Sequence, residues 1–365
     1  MNVSRRKLFQ TAGAAALTAP LAASAATMPE PRFEGKDTPK ICLGIADGGG
    51  ISEAGARRIK QLGVDYVAGG GPPIPWDEAR IRAIVDKQKS YGLTVANLML
   101  AGFNNAIYAR PGRDEEIDKV IQSIQAAGKA GVPVVEYNWY AHRAVEGYFE
   151  ETDPERPGVS WTGFDYELVR TLPPLANEGA HTLDEMWNNI AYFLKRVVPE
   201  AEKAGVRLAL HPNDPPPPLS RGSQQIMGTV EGWKHLIQIV DSPANGITFD
   251  CGVTREMGQD PVEVAGYFAS RDRINHVHFR NVRVAESYQR YSEVMIDEGQ
   301  NNMFAVMKEL VKHKYTRLIY PEHPRALDYD REHGPIRGYP GGGGYASFAF
   351  QVGYTRAMLQ AALTR

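Results

Sequence analysis

Eight times along the chain a short β-branched run gives way to a longer segment of helical period, and few architectures accept that alternation. The strand-like runs fall at Ile41–Ala46, Val64–Ala68, Leu93–Leu98, Val132–Asn138, Val206–His211, Gly246–Asp250, Ile274–Phe279 and Arg317–Tyr320. The helical segments lie at Ser52–Leu62, Trp76–Tyr91, Asp114–Ala130, Leu183–Ala204, Val230–Val240, Pro261–Ala269, Asn302–His313 and Tyr345–Leu363, where apolar residues recur every three or four positions. Four of these helices run through a glycine straight into the next strand: Leu62-Gly63-Val64, Tyr91-Gly92-Leu93, Ala130-Gly131-Val132 and Ala204-Gly205-Val206. A glycine there takes the left-handed backbone conformation that ends a helix.

Eight strand–helix units predict an α/β fold, a closed (β/α)8 TIM barrel, with residues 26–365 as a single domain. A doubly wound open sheet is the rival, but no G-x-G-x-x-G turn follows the first strand. The Gly-rich loops Asp47-Gly48-Gly49-Gly50 and Gly69-Gly70-Gly71-Pro72-Pro73 lack a phosphate-cradling lysine, and read as backbone bends at the barrel mouth. One connection is long: after strand 4, at about 139–181, lies an insertion rich in aromatics, Arg and Pro. Loops of that length in compact domains are usually functional or disordered. Trp139, Tyr140, Tyr148, Phe149, Trp161, Phe164 and Tyr166 offer enough apolar surface to order it, and on the catalytic face it reads as a substrate lid.

The N-terminus reads as a leader. Ser4-Arg5-Arg6-Lys7-Leu8-Phe9 precedes a weakly apolar run from Ala12 to Ala26, and Ala23-Ser24-Ala25 is a small-x-small cleavage site. Paired arginines before such a run resemble a twin-arginine export signal, so residues 1–25 are expected to direct the chain to the periplasm. Beyond them no stretch reaches the roughly 18 apolar residues of a membrane span. With 41 Lys+Arg against 43 Asp+Glu, nothing favours nucleic acid or an anionic membrane as partner. Two cysteines exclude a disulfide scaffold.

Chemistry on such a barrel belongs at the C-terminal strand ends. Strands 5 to 8 each place an imidazole or carboxylate there: His211, Asp250, His278 and Glu322. Adjacent strands lie about 4.8 Å apart, so these side chains can converge on one ion. Two imidazoles with two carboxylates suit Mn²⁺, Fe²⁺, Co²⁺ or Zn²⁺ better than Ca²⁺; Mn²⁺ is the first expectation and Fe²⁺ the second. Period two puts His276 on the same face as His278, one layer below the rim. Asp250 and Cys251 must face opposite ways, and Asp250 is the expected ligand with Cys251 as the alternative. A Cys42–Cys251 disulfide is not expected, since strands 1 and 6 are too far apart.

The strand ends resemble the mannonate dehydratase family, a branch of the xylose isomerase-like barrels. The matching pieces are Leu210-His211-Pro212-Asn213-Asp214-Pro215-Pro216, Ser242-Pro243-Ala244-Asn245-Gly246-Ile247-Thr248-Phe249 and His276-Val277-His278-Phe279-Arg280-Asn281-Val282. Glu136-Tyr137-Asn138-Trp139 and Glu322-His323 match more weakly. The resemblance implies a metal-dependent β-elimination, in which a sugar acid loses water across C2–C3. It places His211 and His278 as the histidine ligands, Glu322 where the family has an Asp, and Asp250 where it has a Cys. His323 takes the place of the catalytic His, and Tyr339 or Tyr345 that of a catalytic Tyr. Ile296 and Asn302 stand where a His and an Asp are expected.

Within that chemistry, His323 and a tyrosine are candidates for base and acid. Arg280 either pairs with the substrate carboxylate or forms a structural ion pair across the rim, and Asn281 and Asn138 are further substrate-binding candidates. Asp214 either orients His211 or caps the Pro215–Pro218 loop. The expected partner is a small sugar acid or sugar, with an oligosaccharide end or a modified sugar suggested by export; a homodimer is a compatible assembly. The alternatives are a metal-dependent sugar isomerase or epimerase, and an exported sugar-binding barrel without catalysis.

Overall fold

Parallel strands whose two faces are both covered need a crossover helix between each pair, and the chain supplies one every time. The structure is a computed structural model that describes residues 34–139, 145–334 and 339–364. The expected leader, 1–25, and Tyr140 of the insertion lie outside the described residues. The barrel strands are β1 (Lys40–Gly44), β2 (Tyr66–Gly70), β3 (Thr94–Leu100), β4 (Val134–Tyr137), β5 (Arg207–Leu210), β6 (Asn245–Asp250), β7 (Ile274–His278) and β8 (Leu318–Tyr320). Each pairs in parallel with its sequence neighbours, and β8 returns to β1 through Lys40↔Leu318 and Ile41↔Ile319. That closure decides for the barrel over the open sheet.

The matching helices are α1 (Glu53–Gln61), α2 (Glu78–Ser90), α3 (Arg113–Lys129), α4 (Leu183–Ala204), α5 (Val230–Ile239), α6 (Pro261–Ala269), α7 (Met303–Lys312) and α8 (Tyr345–Leu363). Their starts are set by side chains that satisfy free N–H groups: Ser52, Asp77, Thr229, Asp260 and Asn302 cap α1, α2, α5, α6 and α7. Thr182 and Glu185 form a reciprocal capping box on α4, an arrangement that satisfies two such groups at once. The helix-ending glycines Gly63, Gly92, Gly131 and Gly205 all take positive φ, from 67° to 83°. No described helix is long and apolar enough to cross a membrane.

The main core lies between strands and helices. Cys42, Ala68, Ala96 and Leu318 form a separate cluster from four adjacent strands, with Tyr66 and Tyr320 against it. Small side chains fit the narrow barrel interior, and Cys42 has its place there by size. Cys251 packs in the main cluster, and both cysteines are free thiols.

The insertion after β4 is not a long irregular loop. It carries a hairpin, Tyr148–Thr152 and Ser160–Asp165, which joins a second hairpin from the loop after β7, Asn281–Glu286 and Arg290–Val294. The four form one antiparallel sheet in which Arg290–Val294 pairs with Ser160–Asp165. Tyr148, Phe164 and Tyr291 make its apolar cluster. Phe149, Trp161 and Tyr166 are only half-buried, whereas Trp139 belongs to the barrel core. Aromatic pairs across strands are what such a sheet needs.

A Cβ added at Gly205 would meet no atom within 4 Å, so the cost of Gly205→Ala is backbone conformation alone. About 1 kcal/mol of destabilisation is expected, a fall of roughly 2 °C in thermal midpoint for a chain this size. An unchanged midpoint would contradict the left-handed helix end.

Candidate active site

The four strand-end residues meet. His211, Asp250, His278 and Glu322 each present a ligand atom, and all these atoms lie within 4.8 Å of one another. All four side chains are buried. His211 Nε2 is 3.0 Å from His278 Nδ1, which is also 3.0 Å from Glu322 Oε2 and 3.8 Å from Asp250 Oδ2. His211 Nδ1–H donates to the Pro212 carbonyl at 2.7 Å, which leaves the Nε2 lone pair for the cluster. Asp250 caps the short helix Cys251–Glu256 through its Oδ1, which accepts from Val253 N–H at 2.8 Å, and turns Oδ2 inward. Cys251, one residue on, faces the strand–helix core, so the alternative ligand is not in the cluster.

A layer below, Glu136 on β4 lies 3.5 Å from His278 Nε2 and 4.0 Å from His276 Nε2. Asn97 and Thr248 donate to the Glu136 carboxylate at 2.9 and 2.8 Å. A carboxylate behind a ligating imidazole fixes its orientation and raises its basicity. Burial works against the His278 cation, but Glu322, Glu136 and Asp250 outweigh it and lift its pKa to about 9. Burial brings His276 down to about 4, so it sits neutral under the cluster, in the layer where the period-two pattern puts it.

Arg280 is 1% exposed. Its guanidinium reaches Asp214 (3.0 Å), Asp250 (3.1 Å), Glu256 (2.7 Å), Glu293 (3.3 Å) and Glu322 (3.2 Å). Its N–H groups are thus committed to carboxylates, and of the two expected roles the geometry matches the structural ion pair, not a clamp on substrate. Burial pushes the Glu256 carboxyl well above its usual range and also raises Asp250, although Arg280 pulls both the other way. Arg280, Arg325 at Glu293 and a protonated His278 share the charge of these buried carboxylates. A dication among two imidazoles and two carboxylates turned to one point would take the place of the His278 proton, so the donor set fits a divalent metal.

Beside the cluster, His323 adopts φ +48°, a conformation rare outside glycine and one that surrounding contacts must hold. Its Nδ1 is 3.0 Å from Glu293 Oε1, and its ring lies 4.7 Å from that of Tyr339. The Tyr339 hydroxyl donates to the same Glu293 oxygen at 2.6 Å. His323, Arg325 and Arg280 overcome the burial of Glu293 and hold its pKa near 2. Met99, Asn138, His211, Asp214, His278, Glu322, His323 and Tyr339 line a cavity of ≈ 230 Å³.

Two expected residues fall elsewhere, and a third lines the cavity in another role. Tyr345 begins α8 and donates to the Arg58 carbonyl at 2.9 Å, away from the cluster. Asn281 is saturated by backbone: Nδ2 donates to the Ile296 carbonyl, and Oδ1 accepts from Val282 and Asn301 N–H. It shapes the loop after β7 and is not among the residues that line the cavity. Asp214 accepts from Tyr148 OH at 2.5 Å and from Arg280; since the Pro212 carbonyl already holds His211, Asp214 ties the insertion to the site instead of orienting that ligand. Glu136 and Glu293 are the residues that the pattern of strand ends did not single out. Glu136 was within reach, two residues before Asn138 on the same face of its strand.

A closed (β/α)8 barrel with such a cluster at its C-terminal mouth defines a metal-binding barrel enzyme. Solved structures share the fold: mannonate dehydratase from Streptococcus suis serotype 2 superposes with a TM-score of 0.77 at 24% identity, over 89% of this chain and 95% of that one. An L-ribulose 3-epimerase gives 0.56 at 13% identity, over 89% and 96%. Residues 176–363, more than half of the chain, match the D-mannonate dehydratase (UxuA) family, and the chain belongs to that family. The mannonate dehydratase of Streptococcus agalactiae serotype V is 28% identical over 276 residues, 69% of this chain and 79% of its own. That of Thermotoga petrophila is 28% identical over 315 residues, 74% and 85%. The chain is a sugar-acid dehydratase, a hydro-lyase, which favours elimination over the isomerase, epimerase and binding-barrel readings.

Elemental analysis of purified variants checks the ligand set. His211→Ala is expected to lose at least nine-tenths of the bound divalent metal and Cys251→Ser to keep it; full metal in the first or loss in the second would contradict the assignment.

Proposed function

We propose that this enzyme removes water from D-mannonate to give 2-keto-3-deoxy-D-gluconate, using a divalent cation held by His211, Asp250, His278 and Glu322, Mn²⁺ first and Fe²⁺ second. The observation that carries this reading is the buried four-residue cluster with His323 and Tyr339 on its open side. When bound, the cation supplies Lewis-acid stabilisation for negative charge that builds on the sugar acid's carboxylate side. Among the described residues the cavity wall carries no Arg or Lys, so the substrate carboxylate belongs toward the ligand cluster.

The chain's own groups move the protons. His323 presents Nε2 on the side of Glu322, 3.6 Å from its Oε2, and takes the C2 proton. Tyr339 turns its hydroxyl proton from Glu293 to the departing C3 hydroxyl; the C2–H electron pair forms the C2–C3 double bond, the C3–O bond breaks and water leaves, and the resulting enol loses its O2 proton and takes a solvent proton at C3 to give the 2-keto-3-deoxy acid. Asn138, whose Oδ1 is buried without a hydrogen-bond partner in the structure, is placed to accept from a substrate hydroxyl. A cavity of ≈ 230 Å³ is smaller than the roughly 300–1,000 Å³ usual for drug-sized ligands, which supports a single sugar acid over an oligosaccharide end. Export through residues 1–25 to the periplasm belongs to the same proposal, on the paired arginines and the Ala-rich run.

Proton NMR of Mn²⁺-loaded enzyme with D-mannonate in D₂O tests the reaction. A deuterated 3-deoxy methylene is expected; deuterium beside the carbonyl of a keto- or aldo-sugar, with mannonate untouched, would move the reading to isomerisation. Tyr339→Phe is expected to lower kcat by about 10²-fold or more, and Tyr345→Phe to leave it within threefold. The reverse order would contradict the placement of the acid.

A further inference from the structure

The residue that joins the two proton-transfer candidates comes from outside the barrel. Glu293 lies on Arg290–Val294, between Asn281–Glu286 and Ser160–Asp165, with Val282 and Thr162 as its register partners. Period two gives it the same face as Tyr291, whose ring packs on Phe164 at 4.9 Å and whose hydroxyl meets that of Tyr148 at 2.8 Å. The sheet therefore fixes where the carboxylate points. It is 1% exposed, with Arg325 Nη2 3.1 Å from Oε2 and Arg280 Nη1 3.3 Å from Oε1.

What remains of Oε1 is turned to the site. Tyr339 OH donates to it at 2.6 Å, and His323 Nδ1 is 3.0 Å away. The two donors are themselves 3.5 Å apart. A carboxylate acceptor at Nδ1 selects the tautomer with its proton there, which leaves the lone pair on Nε2, the nitrogen on the metal-ligand side. It also fixes the ring plane of a residue whose backbone sits at positive φ. In the resemblance to the family, the histidine and acid expected in this stretch are replaced by Ile296 and Asn302; Ile296 is buried and apolar, and Asn302 caps α7. Neither reaches His323, so the hairpin's own carboxylate is what the structure supplies.

We propose that Glu293 is a positioning residue for the elimination: it joins His323 and Tyr339 into one hydrogen-bonded unit and sets the His323 tautomer. It touches neither substrate nor cation and keeps its charge throughout. This rests on the reading of His323 as the group that takes the C2 proton. It also gives the insertion a catalytic reason, because the Tyr148–Thr152 and Ser160–Asp165 hairpin braces the strand on which Glu293 stands.

The test is steady-state turnover of D-mannonate by Mn²⁺-loaded Glu293→Gln, His323→Asn and the double variant, each checked for metal content. Glu293→Gln is expected to lower kcat by 10²-fold or more with KM within threefold and metal retained. In the double variant the losses should fall well short of multiplying, since Glu293 acts through that ring and the Tyr339 hydroxyl bonded to the same oxygen; a purely structural role would make them multiply. Glu293→Gln within threefold of wild-type kcat, or multiplying losses, overturns the proposal. If Gln does not hold the fold, Glu293→Asp keeps the charge toward Arg280 and Arg325 and withdraws the carboxylate by one methylene, and wild-type kcat there overturns it equally. His323→Asn with wild-type kcat would instead sink the reading of His323, and wild-type enzyme that leaves D-mannonate intact would sink the substrate reading together with this one.

Discussion

A guanidinium buried among carboxylates organises the mouth of this barrel. Arg280 stands two residues past the end of β7, and its five acidic neighbours come from separate places: the loop after β5, the end of β6 and the helix behind it, the outer hairpin, and the loop after β8. Each would bear a desolvation cost if left alone, and removing one partner of such a pair typically costs about 3–5 kcal/mol. Arg280 therefore fixes the relative positions of four connections. Two of those carboxylates, Asp250 and Glu322, also face the imidazoles, where a divalent cation would take the place of the His278 proton. Metal binding and assembly of the mouth are on this view parts of one electrostatic problem.

The same residue explains a division of labour. With Arg280 enclosed, no guanidinium faces the cavity among its described lining residues. On the proposed mechanism, polar work at the substrate falls to imidazoles, an amide and a phenol, held by groups behind them: Glu136 behind His278, the Pro212 carbonyl behind His211, Glu293 behind His323 and Tyr339. Ligand orientation is set one layer back, where side chains are locked by burial.

The barrel and its candidate ligands were legible because both obey a repeating rule. Period 3.6 and period 2 alternate eight times, and a closed barrel puts residues at equivalent strand ends in one plane. His211, Asp250, His278 and Glu322 each sit at such an end, so position alone brought them together, and the opposite facing of neighbours separated Asp250 from Cys251. The outer sheet followed no such rule. Its four strands come from two connections more than a hundred residues apart, 148–165 and 281–294, and pairing between distant hairpins leaves no local signal. Glu293, Tyr291 and Tyr148 were hidden for that reason, and the insertion read as a loop. Arg280 was visible as a charge at the rim, but its neighbours Glu256 and Glu293 were not. Asn281 and Tyr345 misled because adjacency in sequence to Arg280, or to a Gly run, says nothing of where a side chain points.

The central claim is that one dication sits among those four strand-end residues and completes the charge balance around Arg280. Anomalous diffraction from crystals grown with Mn²⁺, collected at the manganese edge, addresses it directly. One peak is expected, within about 2.0–2.3 Å of His211, Asp250, His278 and Glu322 donor atoms. A peak at Glu136 and His276 instead, or an empty cluster with Arg280 swung out toward the cavity, would contradict it.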